Sequence, residues 1–265
     1  MSTALTESNL EDIRGLMRAA GAEALKGAKA RNALEVTFKG GPSDPVSACD
    51  LVVEEQLRTA LSRLFPADRF WGEEVGMPQD PGRGRVWICD PIDGTRSFLR
   101  FGRNFCVSLG LLLDGVAVAA FIFDPIGDDL YEARLGEGAW LNSERLQQPP
   151  LQDLSHAIVG IGHSQRVPPD DQVAFLSHVL NGGALTHQHG SGALALAQTG
   201  AGRLDAYVEL HMNAWDALPG LLIAKEAGAD CVAWPADRLT HGYIVLAANP
   251  AIASTLRGWI DLRPR

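Results

Sequence analysis

The hexapeptide Asp90-Pro91-Ile92-Asp93-Gly94-Thr95 constrains this 265-residue chain more than any other stretch. It follows a short apolar run, Val86-Trp87-Ile88-Cys89, which reads as a buried strand. It precedes Arg96-Ser97-Phe98-Leu99, which opens either a helix or a tight turn. Two carboxylates and a hydroxyl are therefore expected at a strand end. Proline fixes its own φ and biases Asp90 toward an extended shape. Gly94 permits a backbone conformation or a close approach that a β-carbon would block. Carboxylates this close repel each other unless a proton or a cation sits between them. Hard divalent cations such as Mg²⁺ favour oxygen ligands of this kind. The plain alternative is ordinary turn punctuation by Asp-Pro and Asp-Gly.

Further stretches weigh against that alternative. Gly72-Glu73-Glu74 comes shortly before the strand, and Trp215-Asp216-Ala217-Leu218-Pro219-Gly220 begins the apolar run Leu221-Leu222-Ile223-Ala224. Glu226-Ala227-Gly228 follows. With these motifs in this order, the chain resembles the inositol monophosphatase family of metal-dependent phosphatases over nearly its whole length. The resemblance implies a mixed α/β fold, a layered α-β-α-β-α sandwich forming one phosphatase domain. Its two lobes would span residues 1–146, which bind metal, and 147–265, on the substrate side. It also implies an Mg²⁺-dependent, lithium-sensitive phosphomonoesterase that forms a homodimer.

The same resemblance implies a site. Glu73, Asp90 and the main-chain carbonyl of Ile92 would hold a first Mg²⁺, and Asp90, Asp93 and Asp216 a second. Asp50 would lie near a weaker third position and Lys39 at the edge, giving two or three Mg²⁺ per subunit. Glu73, Asp93 and Thr95 would be catalytic, with Thr95 beside Glu73 orienting and deprotonating the attacking water. Asp93, Gly94, Thr95, Ser191, Gly192, Glu209 and Asp216 would contact substrate. For Asp50 a helix N-terminal aspartate favoured by the dipole is an equally good reading, and Asp44 reads as a solvated loop residue. Asp216 has a structural alternative as a helix cap, with Pro219 tolerated in the first turn. Glu74 reads as a residue behind the site or on the surface.

Composition is compatible with this chemistry. Lys and Arg number 23 against 32 Asp and Glu, a formal net charge of -9, which argues against nucleic acid or an anionic membrane as partner. An acidic protein acting on an anion needs bound cations to invert the local field. Cys49, Cys89, Cys106 and Cys231 stand singly, without a CxxC, and read as reduced thiols of a cytoplasmic protein. The first residues show no secretory pattern, and Asp114-Gly115 interrupts the longest apolar stretch. Neither a Gly-x-Ser-x-Gly elbow nor a P-loop occurs.

Along the chain, Ser8-Asn9-Leu10-Glu11 has capping-box spacing ahead of an amphipathic helix to about Ala30. A loop from Lys39 to Pro45 leads to a second helix over Ser47–Leu64. Residues 105–112 and 116–123 read as a long hairpin, and short strands follow near 130–133 and 139–142. No helix intervenes there, so part of that sheet must be antiparallel. The second half alternates strand and helix.

Specificity is less legible. His187 replaces an arginine usual in the family, and Leu218-Pro219-Gly220 departs from the usual Ala-Ala-Gly. Inositol monophosphate is the default substrate. Histidinol phosphate, a nucleoside bisphosphate, NADP or a sugar bisphosphate are alternatives, as is a catalytically idle regulatory relative. His187, His189 and His211 read as pocket-lining or structural residues, not metal ligands.

Overall fold

Residues 5–38 and 45–261 are described by the computed structural model of the chain. Leu10, Ile13, Met17, Ala20 and Ala24 form the buried stripe of α1 (Glu7–Ala30). The capping box is Thr6 with Asn9, not Ser8 with Glu11. Thr6 Oγ1 accepts from the Asn9 amide at 3.2 Å, and Asn9 Oδ1 accepts from the Thr6 amide at 3.0 Å. The helix starts at Glu7, so Ser8 is already inside it, and an Asn amide returns the bond as a Glu would.

β1 (Val36–Phe38) and β2 (Pro45–Ser47) pair antiparallel. Lys39 and Asp44 lie outside the described residues. Ser47 caps α2 (Ala48–Leu64), and Asp50 completes its capping box. β3 (Arg69–Gly72) runs parallel to β4 (Arg85–Asp93). β4 does not end at Asp90, as the sequence predicts. Its pairing continues to Asp93 across a bulge between Asp90 and Asp93, where Pro91 has no N–H to give. Gly94 then opens α3 (Thr95–Phe101), so the helix alternative is the one adopted. β5 (Cys106–Leu113), β6 (Val116–Asp124), β7 (Asp129–Arg134), β8 (Gly138–Leu141) and β9 (Glu144–Arg145) follow as an antiparallel meander. The result is a seven-stranded sheet in the order β3-β4-β5-β6-β7-β8-β9.

The second half comprises β10 (Ile158–Ile161), α4 (Pro169–Asn181), β11 (Leu185–His187), α5 (Gly192–Gly200) and β12 (Ala206–Met212). It continues through α6 (Ala214–Glu226), β13 (Asp230–Cys231), β14 (Tyr243–Ala248) and α7 (Pro250–Asp261). Its five strands are ordered β11-β10-β12-β14-β13. Helical crossovers keep β11, β10 and β12 parallel, while β14 runs antiparallel to both neighbours. α1 and α2 cover one face of the larger sheet, α5 and α6 lie between the sheets, and α4 and α7 cover the outer face of the smaller one. This is the layered α/β sandwich the motifs imply. The four cysteines are free thiols. Among the described residues no helix is long and apolar enough to cross a membrane.

A helix sandwiched between two sheets must be apolar on most sides. In α6, Ala214 and the run Ala217–Ala224 are buried. Asp216 is not its cap; the helix begins earlier, with Asn213 at the cap position, and Asp216 sits in the first turn. Pro219 therefore lies beyond the first turn, where it removes the bond to the Trp215 carbonyl. The buried Ser108 hydroxyl on β5 donates to that carbonyl at 3.3 Å. Gly220 sets the distance between the inner helices, since a β-carbon there would stand 2.5 Å from Leu196 Cβ and 3.2 Å from the Ala193 carbonyl.

Two glycine substitutions should act in opposite directions. Gly220→Ala overpacks the α5–α6 contact and should lower stability by about 1–3 kcal/mol. Gly15→Ala, in α1 where a β-carbon would meet nothing within 4 Å, should raise it by roughly 0.5–1 kcal/mol. Denaturant midpoints at unchanged slope read both; a stabilising Gly220→Ala would show that the close approach is unimportant.

Candidate active site

The Gly-Glu-Glu segment is held from below by α2. Glu54 is fully buried, and its carboxylate accepts the amides of Glu74 at 2.9 Å and Val75 at 2.7 Å. A β-carbon on Gly72 would fall 2.2 Å from Glu54 Oε2, so only glycine lets the chain pass over this carboxylate. The Glu73 amide donates to the Cys89 carbonyl of β4 at 3.0 Å. Glu74 contributes its backbone amide to this turn and is half-buried. Next to the turn, the Trp71 ring meets Trp215 edge-on at 5.7 Å and 68°. That contact ties the strand before Glu73 to the helix turn carrying Asp216. It supplies a packing reason for the tryptophan of the Trp-Asp pair.

The β4 bulge aims the next groups. Asp90 Oδ1 accepts the Ile92 amide at 2.9 Å, a two-residue turn that holds the carboxylate against its own strand. Gly94 has φ +93°, and a β-carbon there would lie 2.8 Å from the Asn104 carbonyl and 3.0 Å from that of Gly190. Both its conformation and its surroundings require glycine. Thr95 Oγ1 is 3.1 Å from the Ile92 carbonyl and 3.5 Å from Asp50 Oδ1. Asp50 is buried, with its other oxygen accepting from the Ser47 amide and hydroxyl. Burial pushes its carboxyl up to about 6, against the pull of those bonds.

Asp93 bridges the two halves of the chain. Its Oδ2 accepts from the Ser191 hydroxyl at 2.5 Å and from the Ala193 amide at 2.7 Å, at the start of α5. Burial raises its pKa, and these donors oppose the rise. Asp216 arrives from α6, steadied by Asn213 Nδ2 at 3.3 Å. Glu73, Asp90 and Asp216 each offer a carboxylate oxygen within 4.8 Å of the others. Burial, then repulsion from Glu73, Asp216 and Asp93, raises Asp90 well above the carboxylate range. Burial, then repulsion from Glu73 and Asp93, raises Asp216 in the same way. An all-oxygen donor set of this charge suits hard divalent cations, which would remove the repulsion.

The cluster opens on a cleft of about 380 Å³, whose wall includes Asp93, Asp216, Gly192 and Glu209. Glu209 stands between two glycines. A β-carbon on Gly162 would fall 2.1 Å from Glu209 Oε2, and one on Gly192 would fall 3.4 Å from it. The Tyr207 hydroxyl donates to the same oxygen at 2.6 Å. Burial pushes Glu209 up to about 7, although Tyr207 and Arg166 pull it down. His189 and His211 line the cleft, whereas His187 sits on the exposed edge strand β11. Burial lowers His189 to about 4. Among the described residues the only group of metal-ligating side chains is the acidic one.

The structure thus brings Glu73, Asp90, Asp93, Thr95, Asp216, Gly192 and Glu209 to one region, with Ser191 behind Asp93 and Asp50 behind Thr95. Sequence reasoning missed Glu54. A glutamate at a core-facing position of α2, preceding a Gly-Glu-Glu turn, was the available signal.

The sequence profile of the inositol monophosphatase family matches residues 8–260. The chain belongs to the inositol monophosphatase family. It is a phosphoric monoester hydrolase of that family. An inositol-1-monophosphatase, SuhB, of Mycobacterium tuberculosis is 37% identical over 230 residues, covering 83% of this chain and 79% of the relative. A protein of Pasteurella multocida named Nus factor SuhB is 32% identical over 244 residues, 90% of this chain and 91% of that one. The crystal structure of extragenic suppressor protein SuhB from Bartonella henselae superposes with a TM-score of 0.88 at 27% identity, covering 97% of this chain and 100% of that one.

The carboxylate cluster predicts a trade between stability and metal response. Asp90→Asn removes one repelling charge, so the metal-free variant should melt higher than the metal-free parent. Mg²⁺ should raise the parent's midpoint and leave the variant's almost unchanged. A variant that melts lower without metal and still responds to Mg²⁺ would remove Asp90 from the cation site.

Proposed function

We propose that this protein is an Mg²⁺-dependent phosphomonoesterase acting on a small phosphorylated metabolite, with inositol monophosphate as the default substrate, and working as a cytoplasmic homodimer. The convergence of Glu73, Asp90 and Asp216 within 4.8 Å carries this reading. Glu73, Asp90 and the Ile92 carbonyl would hold one cation, and Asp90, Asp93 and Asp216 a second. Bound there, two cations supply charge neutralisation at the phosphoryl oxygens and an acidified water.

The chain's own groups do the rest. Thr95 Oγ1 donates to Ile92 O or Asp50 Oδ1, so with its proton committed it would accept from the attacking water. Glu73, beside it, would take that water's proton. Asp93 is oriented because its Oδ2 is committed to Ser191 and Ala193, leaving Oδ1 for the cleft. The backbone of Gly94, Thr95 and Gly192 would face the phosphate. Glu209, on the cleft wall, would accept a hydroxyl of the alcohol.

A second reading, a regulatory protein, is favoured by one finding: the Pasteurella relative is named a Nus factor. Inorganic phosphate release from a panel of phosphomonoesters, with Mg²⁺ and with EDTA, separates the two. Metal-dependent turnover supports the enzyme, and Asp93→Asn should abolish it while leaving the circular dichroism spectrum intact. Absence of turnover from folded protein that still binds Mg²⁺ would transfer the assignment to regulation.

Glu209 also predicts a pH effect. Its folded pKa of about 7 lies above the ordinary value, so it is protonated below that pH and a poor acceptor. KM should fall as pH rises through about 7, and Glu209→Gln should flatten the profile. An identical profile in the variant would assign the titration elsewhere.

A further inference from the structure

The glycines of Gly160-Ile161-Gly162 lie at the end of β10, and alternate glycines on a strand mark a close approach by another group. β10 runs parallel to β12, with Gly160 opposite Tyr207 and the Gly162 amide donating to the Val208 carbonyl at 2.8 Å. Tyr207 and Glu209 are two residues apart on β12, so their side chains leave the same face of the sheet. The two glycines clear that face. A β-carbon on Gly160 would stand 2.9 Å from Tyr207 Cδ2, and one on Gly162 would stand 2.3 Å from the Tyr207 hydroxyl. Gly192, at the start of α5, clears the same hydroxyl, since its β-carbon would lie 3.1 Å away. Three glycines from two elements shape a slot for one phenol.

The slot fixes what the phenol can do. Tyr207 is buried yet lines the cleft, and its hydroxyl donates to Glu209 Oε2 at 2.6 Å. Burial, then the charge of Glu209, holds the phenol well above its ordinary pKa, so it stays a donor. Glu209 Oε2 is thereby spent. Oε1 has no hydrogen-bond donor among the described residues and is not sealed from solvent, so it is the oxygen left for a ligand in the cleft. A carboxylate held by one short bond from a packed ring keeps one orientation. Without that bond, its broad terminal torsion lets either oxygen face the cleft.

We infer that Tyr207 is a positioning residue for hydroxyl recognition: its phenol holds Glu209 Oε2 so that Oε1 meets the alcohol of the phosphomonoester. The role lies in selecting the alcohol, not in the chemistry at phosphorus. It makes Gly160 and Gly162 determinants of specificity, since a side chain at Gly162 would displace both Tyr207 and Glu209. This inference rests on the phosphatase reading and on Glu209 as the hydroxyl acceptor.

Inositol monophosphate is compared with phenyl phosphate, whose alcohol carries no second hydroxyl, using the full chain in Mg²⁺. Tyr207→Phe, which keeps the ring in its slot, should raise KM for inositol monophosphate about tenfold at unchanged kcat, as loss of a hydrogen bond to a charged group implies. Both constants for phenyl phosphate should change by less than about twofold. Adding Tyr207→Phe to Glu209→Gln should cost nothing further, because the two residues act through one contact. If Glu209→Gln raises KM selectively and Tyr207→Phe does not, the hydroxyl contact stands and this inference alone falls. Equal loss on both esters also overturns it, since that is the mark of a ring that only packs. If the parent hydrolyses neither ester, the phosphatase reading fails and calorimetric binding of inositol monophosphate with Mg²⁺ decides. Binding weakened by Tyr207→Phe only where Glu209 is intact supports the positioning role; absent or unchanged binding overturns it.

Discussion

Like-charge repulsion among buried carboxylates is the constraint on which the rest of this structure depends. Glu73, Asp90 and Asp216 converge within 4.8 Å, and Asp93 adds its field to both aspartates. Left to itself such a cluster would fly apart or protonate. It persists because each member is fixed by contacts away from the cluster. Trp71 packs on Trp215, Glu54 gathers the amides after Glu73, and Ser191 and Ala193 hold one oxygen of Asp93. Such repulsion suits a site for cations, whose charge would relieve it.

Close backbone approaches make this fixation possible. Gly72 clears Glu54, Gly94 clears two carbonyls, and Gly162 and Gly192 flank Glu209. The inner helices contribute through Gly220, which lets α5 and α6 approach so that their N-terminal turns reach the same cleft. Ser108 repairs the helix bond that Pro219 breaks. A net charge of -9 is compatible with an anionic substrate only if cations held at this cluster reverse the local field.

Much of the candidate site was legible because its chemistry is written in short, ordered motifs. Asp90, Asp93, Thr95, Glu73 and Asp216 could be named from residue type and spacing together with the family resemblance. Glu54 escaped because a buried glutamate that serves backbone amides carries no motif of its own. The strands β1, β9, β11 and β13 escaped because two or three residues are too few to show a period of two. The Ser8–Glu11 cap failed for a related reason, since two overlapping boxes were available and packing chose Thr6 with Asn9. The bulge that carries β4 through to Asp93 was hidden by Pro91, which reads as a terminator when only the strand itself is considered.

The sequence by itself determined the layered α/β class, the two long helices α1 and α2, the Asp114-Gly115 hairpin and the family. Periodicity, turn residues and motif order are local properties, and they survive without coordinates. Only the tertiary structure decided which oxygen of Asp93 is spent on α5, which amides Glu54 receives, and that Glu209 is enclosed by Gly162 and Gly192. These depend on side chains separated by up to a hundred residues meeting across two sheets. Such meetings are set by packing and burial, which no local pattern encodes.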